Sequence, residues 1–291
     1  MIEPQELRAR ADAVLELHEA GELDAALEAC TQLIVDAGDD LDDLVVRESV
    51  FTARFERALV LTELGELEAA AEAYAEAAAT PSDPDDPDQR HEVAMALLNR
   101  GICLATVGFH RTAVSAYDDL VDRFGSADDP VTRDQALRGR VNRAASLLAL
   151  DEVEAALDVA DGLLRELDPE DVVEAEQVAM LARIRAAGLR TLGRPAEAAE
   201  VLADVERCVG ADPSVLAQVA SAQRDRADLL AELGRSEEAI ALLETTVGRL
   251  TDEPDPVVSE VLTDLLETEA ELLDAAGDQT RANEVRARVD A

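Results

Sequence analysis

The stretch from Arg57 to Tyr74, RALVLTELGELEAAAEAY, decides the fold. It reads as an apolar helix closing on Leu64-Gly65, a short polar turn, and a second helix of small residues. The same pattern returns from Arg226 to Leu243 as RADLLAELGRSEEAIALL. Its turn residues are Gly21, Gly65, Gly108, Asp151, Gly193, Gly234 and Gly277, with spacings of 44, 43, 43, 42, 41 and 43. Five residues after each turn stands an alanine: Ala26, Ala70, Ala113, Ala156, Ala198, Ala239 and Ala282. Seven residues before it stand Val14, Ala58, Gly101, Ala144, Ala186, Ala227 and Ala270. Two closely crossing helices need a small residue on each, and the turn between them needs a residue that accepts a left-handed backbone. Self-similarity at a fixed period of this size is the mark of a repeat array.

The connections carry punctuation of their own. Asp86-Pro87, Asp129-Pro130, Asp168-Pro169, Asp212-Pro213 and Asp255-Pro256 recur at nearly the same period. Asp accepts free amide hydrogens at a helix start, and Pro fits the first turn, where its missing N–H costs nothing. Each Asp-Pro is therefore expected to open a hairpin's first helix, which from Pro130 to Ala149 runs about 20 residues. The expected hairpins span 4–36, 44–80, 87–125, 130–167, 169–210, 213–251 and 256–290, in a single domain covering 1–291. The expected fold class is all-α: a right-handed α-solenoid of about seven hairpins. The polar segment Thr80–Asp88, TPSDPDDPD, reads as a mobile loop too short to divide domains.

Ala70 with Tyr74, and Gly101, Leu104, Ala113 and Tyr117, resemble the tetratricopeptide repeat family, which sets Leu-Gly and Ala ahead of spaced aromatics. The segment Ala116–Arg133, AYDDLVDRFGSADDPVTR, is similar to a longer-period bacterial variety. The resemblance covers essentially the whole chain. It departs from the family in lacking Trp and in its period of 41–44 residues, against about 34. Helical hairpins of the HEAT type share the longer period, but the Gly and Ala positions argue against them.

Composition agrees. Of 291 residues 48% are hydrophobic but only 2% aromatic, so Ala and Leu carry the packing. Ala has the best helix propensity, and strands would want the β-branched and aromatic residues that are scarce here. The net charge is −39, and all 26 basic residues are Arg. Such a chain repels nucleic acid and anionic membrane, and salt should stabilise it by screening self-repulsion. Neither is an expected partner. Cys30, Cys103 and Cys208 lie far apart without a CxxC pair and read as small buried hydrophobes in a reducing compartment. The N-terminus MIEPQELRARADAV lacks an apolar targeting core, and no long apolar run follows. The expected location is cytoplasmic.

Catalytic motifs are missing from the sequence: there is no HExxH, no GxSxG and no Gly-rich phosphate loop. His18, His91 and His110 are isolated; His18 and His110 sit close to turn glycines and read as solvated. The acidic runs Asp39–Asp43 and Asp83–Asp88 do not follow the spacing of a calcium loop. No enzyme, cofactor or metal is expected. The arginines are more informative. Arg57, Arg100, Arg143, Arg185 and Arg226 each stand eight residues before a turn, while Glu269 replaces Arg in the last hairpin. Glu269, with Glu267, Glu271 and Asp274, is expected to form a polar outer face there that keeps the protein monomeric. The arginine register has two explanations: a structural ladder pairing with neighbouring carboxylates, or an anion-binding stripe.

Resemblance to the family implies a protein-binding scaffold, with groove contacts from first-helix residues about nine, ten and thirteen before the turn. Those places hold Asn99, Arg138, Asn142, Arg183 and Arg224. The expected function is a non-enzymatic adaptor gripping a protein or peptide segment, acidic or carboxylate-bearing, over repeats three to six. The alternative is a ligand-responsive regulatory subunit controlling an effector.

Overall fold

A computed structural model describes residues 2–208 and 212–289. Among these residues the chain is all-helical, with fourteen α-helices and no strand. They are α1 (Pro4–Glu19), α2 (Leu23–Ala37), α3 (Leu44–Glu63), α4 (Leu67–Ala78), α5 (Pro87–Thr106), α6 (His110–Phe124) and α7 (Pro130–Ala149). There follow α8 (Val153–Glu166), α9 (Ala175–Thr191), α10 (Pro195–Ala203), α11 (Pro213–Glu232), α12 (Ser236–Leu250), α13 (Pro256–Ala275) and α14 (Gln279–Val289). A single 3₁₀ turn, Asp204–Arg207, continues α10. The expected hairpin ends at 210 and 290 lie outside the described residues. The chain forms two compact units, residues 1–150 and 151–291, dividing at the turn that follows α7.

The turns explain themselves from backbone geometry. All seven turn residues have positive φ, from 62° at Asp151 to 84° at Gly277. The left-handed turn lets the residue beyond it donate its N–H five positions back, as Glu66 does to Leu61 and Arg235 to Leu230. These bonds satisfy carbonyls that a helix end would leave open. Asp151 is the one non-glycine, a residue type that visits this region more readily than most.

Within each unit, second helices pack between successive first helices. In the first unit α2 packs on α3, α4 on α5 and α6 on α7; in the second, α8 on α9, α10 on α11 and α12 on α13. The small residues sit in these seams. All seven alanines five after the turns are at most 1% exposed, and the residues seven before are buried as well. At Gly101 an added Cβ would run into the Tyr117 ring, so only glycine lets α5 and α6 meet there. Tyr117 and Tyr74 are themselves fully buried, and Phe55 meets Tyr74 edge-on at 5.5 Å. The aromatics quoted for the family resemblance are thus core residues.

Five of the seven first helices open on a capping Asp; α1 opens after Glu3, whose side chain caps nothing. Asp43, Asp86, Asp129, Asp212 and Asp255 each cap a first helix by accepting backbone N–H bonds. Asp168-Pro169 does not: α9 begins only at Ala175. Pro87, Pro130, Pro213 and Pro256 each stand 21 residues before their turn, whereas Pro169 stands 24 before Gly193. The surplus is spent in turns where Asp168 accepts from Glu170 N–H and Asp171 from Val173 N–H. The 80–88 segment is anchored by contacts at Thr80 and Pro84. Thr80 is buried and accepts from Arg54, and Arg90 donates to the Pro84 carbonyl.

The packing predicts where the fold is fragile. Ala198→Leu should force α10 away from α9 and cost about 1–3 kcal/mol by overpacking. Glu66→Ala, at an exposed turn, should stay within about 0.5 kcal/mol. Denaturant midpoints of the two variants, measured against the parent, check this; equal shifts would mean the buried seam is misassigned.

Candidate functional site

The arginines eight before the turns reach acids on second helices. Arg57 pairs with Glu76 at 2.5 Å, Arg143 with Asp118 at 2.6 Å and Arg185 with Asp161 at 2.6 Å. Arg226 reaches Glu206, on the 3₁₀ turn after α10, at 3.3 Å. Arg100 makes no ion pair among the described residues. The register thus has internal carboxylates on four of its five arginines. The last member is inverted. Glu269 on α13 is only 2% exposed, with Oε2 lacking a hydrogen-bond partner, so it belongs to the interior and not to a polar outer face. Burial pushes its carboxyl above the usual range, helped by Glu244 of α12 and opposed by Arg288 and Arg281 of α14.

The groove residues separate by unit. In the first, Asn99 is half-buried and lies near the hydroxyl of the buried Tyr74. Arg138 pairs along its own helix with Asp134 at 2.9 Å. Asn142 lines a recess of about 210 Å³ with Ile102, Thr106, His110 and Tyr117. In the second unit the first helices are bridged directly. Arg183 Nε on α9 donates to Asp225 on α11 at 2.7 Å, with Nη1 to Gln218 at 3.2 Å. Arg190 reaches Glu232 at 2.9 Å, and Arg224 on α11 donates to Asp264 on α13. These bonds span repeats because the steps of 41 residues from Gly193 to Gly234 and 43 from Gly234 to Gly277 set successive first helices side by side.

Between α9 and α11 lies a second recess, of about 320 Å³. Arg183, Arg190, Asp225 and Asp228 supply its charge, and Ala186, Ala187 and Leu229 part of its apolar wall. Asp228 is exposed at the mouth of this cleft; partial desolvation there raises its carboxyl above the ordinary range, Asp225 adds to this, and Arg224 and Arg190 partly oppose it. Among the described residues Asp228 has no ion pair, and no three His, Cys, Asp or Glu side chains are placed to hold a metal. No described helix is long and apolar enough to cross a membrane.

His18 was legible only as an isolated histidine near a turn, and the structure corrects the solvated reading. It bridges α1 to α3, with Nδ1 2.6 Å from Glu56 and Nε2 3.0 Å from Glu63, and its side chain is 16% exposed. The Glu56 hydrogen bond raises its pKa above 6.5 against the opposing effect of burial, with Glu63 adding to the rise. His110 is half-buried with Nδ1 unpartnered. Cys30 and Cys103 are buried and Cys208 half-buried; burial pushes the Cys30 thiol to about 12 and that of Cys208 to about 11. All three thiols stay protonated and unreactive near neutral pH.

Helical hairpins joined through left-handed turns and alanine seams define a class of helical repeat protein. The tetratricopeptide repeat model matches residues 12–87 and 185–254, half of the chain, and the protein belongs to that family. No curated protein sequence matches it. Among determined structures, a tetratricopeptide repeat protein from Parabacteroides merdae aligns with a TM-score of 0.62 at 16% identity, covering 98% of this chain and 93% of that one. The quorum sensor NprR from B. thuringiensis in its apo form aligns at 0.58 and 11% identity, covering 97% and 85%. NprR in complex with its cognate peptide NprX aligns at 0.55 and 13% identity, covering 99% and 78%. At these identities the likeness is one of fold.

The His18 bridge has a pH signature. A folded pKa raised above the unfolded value near 6.5 gives stability that is complete below about pH 6.5 and lost as pH rises through the folded value. Denaturation midpoints of wild type and His18→Gln, followed from about pH 5.5 to 9, should converge toward alkaline pH. A constant difference across the range would show that His18 contributes without titrating.

Proposed function

We propose that this protein is a non-enzymatic interaction scaffold that binds a protein or peptide segment along its first helices. The carrying observation is the charged cleft between α9 and α11, open to solvent and flanked by inter-helix ion pairs. Such a surface offers alternating apolar wall, donors and acceptors to an extended chain. Its one hydroxyl, that of Thr191, donates to the Ala187 carbonyl of its own helix and is not directed at a base. The acidic surface disfavours nucleic acid and anionic membrane as partners and favours a cytoplasmic monomer that stays dispersed by charge.

The family's general role as interaction modules agrees with this reading, and the same fold in NprR accommodates a peptide. The latter likeness also favours a second form of the proposal, a regulatory subunit whose bound segment changes its hold on an effector. A carboxylate-bearing partner, expected from the arginine register, would have to displace Asp225 and Asp264 from Arg183 and Arg224. Because these pairs are partly exposed, each contributes on the order of 0–1 kcal/mol, and exchange of one carboxylate for another is accessible.

The test is capture of a partner by crosslinking in native lysate, followed by titration with purified Arg183→Gln/Arg224→Gln protein. Partner affinity should fall by about tenfold or more, with a melting temperature within a few degrees of the parent. A chain that captures no protein, a captured partner that binds the variant unchanged, or a variant that fails to fold would each contradict the reading.

A further inference from the structure

We infer that the cleft between α9 and α11 holds a slot for a cationic side chain, an arginine or lysine presented by a partner segment, with Asp228 as its counter-ion. This deepens the scaffold reading and rests on it. Arg183 meets Asp225 and Arg190 meets Glu232, each 42 residues further along the chain. At the same offset Asp228 stands across from Ala186, midway between two cation–anion rungs. The rungs are seven residues apart, about 10.5 Å along a helix. The middle rung therefore has its anion and lacks its cation.

The fold itself forbids the chain from supplying that cation. Ala186 is one of the small residues seven before a turn, only 2% exposed, and its methyl group is committed to the hairpin seam. A long basic side chain at that position would overpack α9 against its neighbours. The unpartnered carboxylate thus follows from a packing requirement, and the room left above the two alanines is the recess of about 320 Å³.

Its shape and chemistry suit one kind of occupant. A lysine or arginine stem is apolar and would lie over the exposed Ala187, above the buried Ala186 and Leu229, while the head reaches Asp228. Arg183 and Arg190 are held back by their own carboxylates and leave the middle open. The charges around Asp228 favour a cation. Asp225 lies on its own helix and Glu271 faces it from α13, both raising its carboxyl against the pull of Arg224 and Arg190. A cation entering there relieves repulsion among carboxylates as well as pairing with one. A net charge of −39 draws a basic segment toward the protein from a distance, an attraction that salt screens. The corresponding recess of the first unit, lined by Ile102, Thr106, His110 and Asn142, has no carboxylate and should not share the property.

The slot is tested on the full chain with acetylated, amidated alanine pentapeptides carrying a central arginine, norleucine or glutamate. Binding is read from NMR shifts of the Ala187 and Asp228 amides. The arginine peptide should shift both saturably, more weakly as sodium chloride is raised, and the norleucine peptide should not. Asp228→Asn should weaken that binding by about tenfold or more. Ala187→Arg places a guanidinium on the exposed neighbour of Ala186, so it should block the peptide while leaving the melting temperature unchanged or higher. An arginine peptide that leaves these amides unmoved, binds Asp228→Asn equally, or is outcompeted by the glutamate peptide overturns the inference. Titration of the crosslinked partner separates the two proposals. A partner that binds Asp228→Asn as tightly as the parent removes the cation slot and leaves the scaffold standing.

Discussion

Everything in this protein depends on how closely two helices are allowed to approach. A hairpin turning on one left-handed residue fixes where its helices cross, and apart from Val14 in the first hairpin the residues at these positions are no larger than alanine. Ala70, Ala198 and Ala239 fill them on the second helices, and Ala58, Ala186 and Ala227 on the first. At Gly101 even a methyl is excluded by Tyr117. With 2% aromatics, the chain makes a dense interior from small parts, so its dispersion contacts depend on backbone proximity more than on large side chains.

Close crossings have an electrostatic consequence. Once the repeat period sets equivalent helix positions side by side, charges on successive hairpins face each other whether or not they attract. The arginines resolve this locally: Arg143 with Asp118 and Arg185 with Asp161 join first helices to second, and Arg183 with Asp225 joins first helices to each other. Exposed pairs contribute little one by one. Their placement matters more, because each removes a repulsion in a protein with a large surplus of acid. Asp228 is left over where the packing rule forbids a basic neighbour, and there the geometry that stabilises the fold leaves an opening for another molecule.

Much of this was legible in the residues. Turn positions, alanine seams and most Asp caps could be read directly because backbone sterics fix them locally. Pro169 could have been read as well, since its distance from Gly193 exceeds that of the other prolines by three residues. The partners of the arginines were not legible. The register named the arginines, but which acid each meets depends on the inter-helix offset, which only packing sets. Glu269 illustrates the loss: its charge suggested an outer face, yet the position it occupies turns inward. His18 was hidden for the same reason, its two carboxylates lying 38 and 45 residues away. Asp228 carries no sequence signal, because its distinguishing feature is a partner that is missing.

The claim that close approach governs the fold is tested most directly by one substitution made at two glycines. Gly101 and Gly162 both lie inside helices; an added Cβ at Gly101 meets the Tyr117 ring, and at Gly162 it meets nothing within 4 Å. Alanine favours a helix over glycine by up to about 1 kcal/mol, so propensity alone would stabilise both variants. The account predicts opposite signs in equilibrium denaturation: Gly162→Ala raises the midpoint, and Gly101→Ala lowers it because the gain is exceeded by displacement of Tyr117. A midpoint that rises in both variants would contradict the account, since it would mean that α5 and α6 are not held at contact distance.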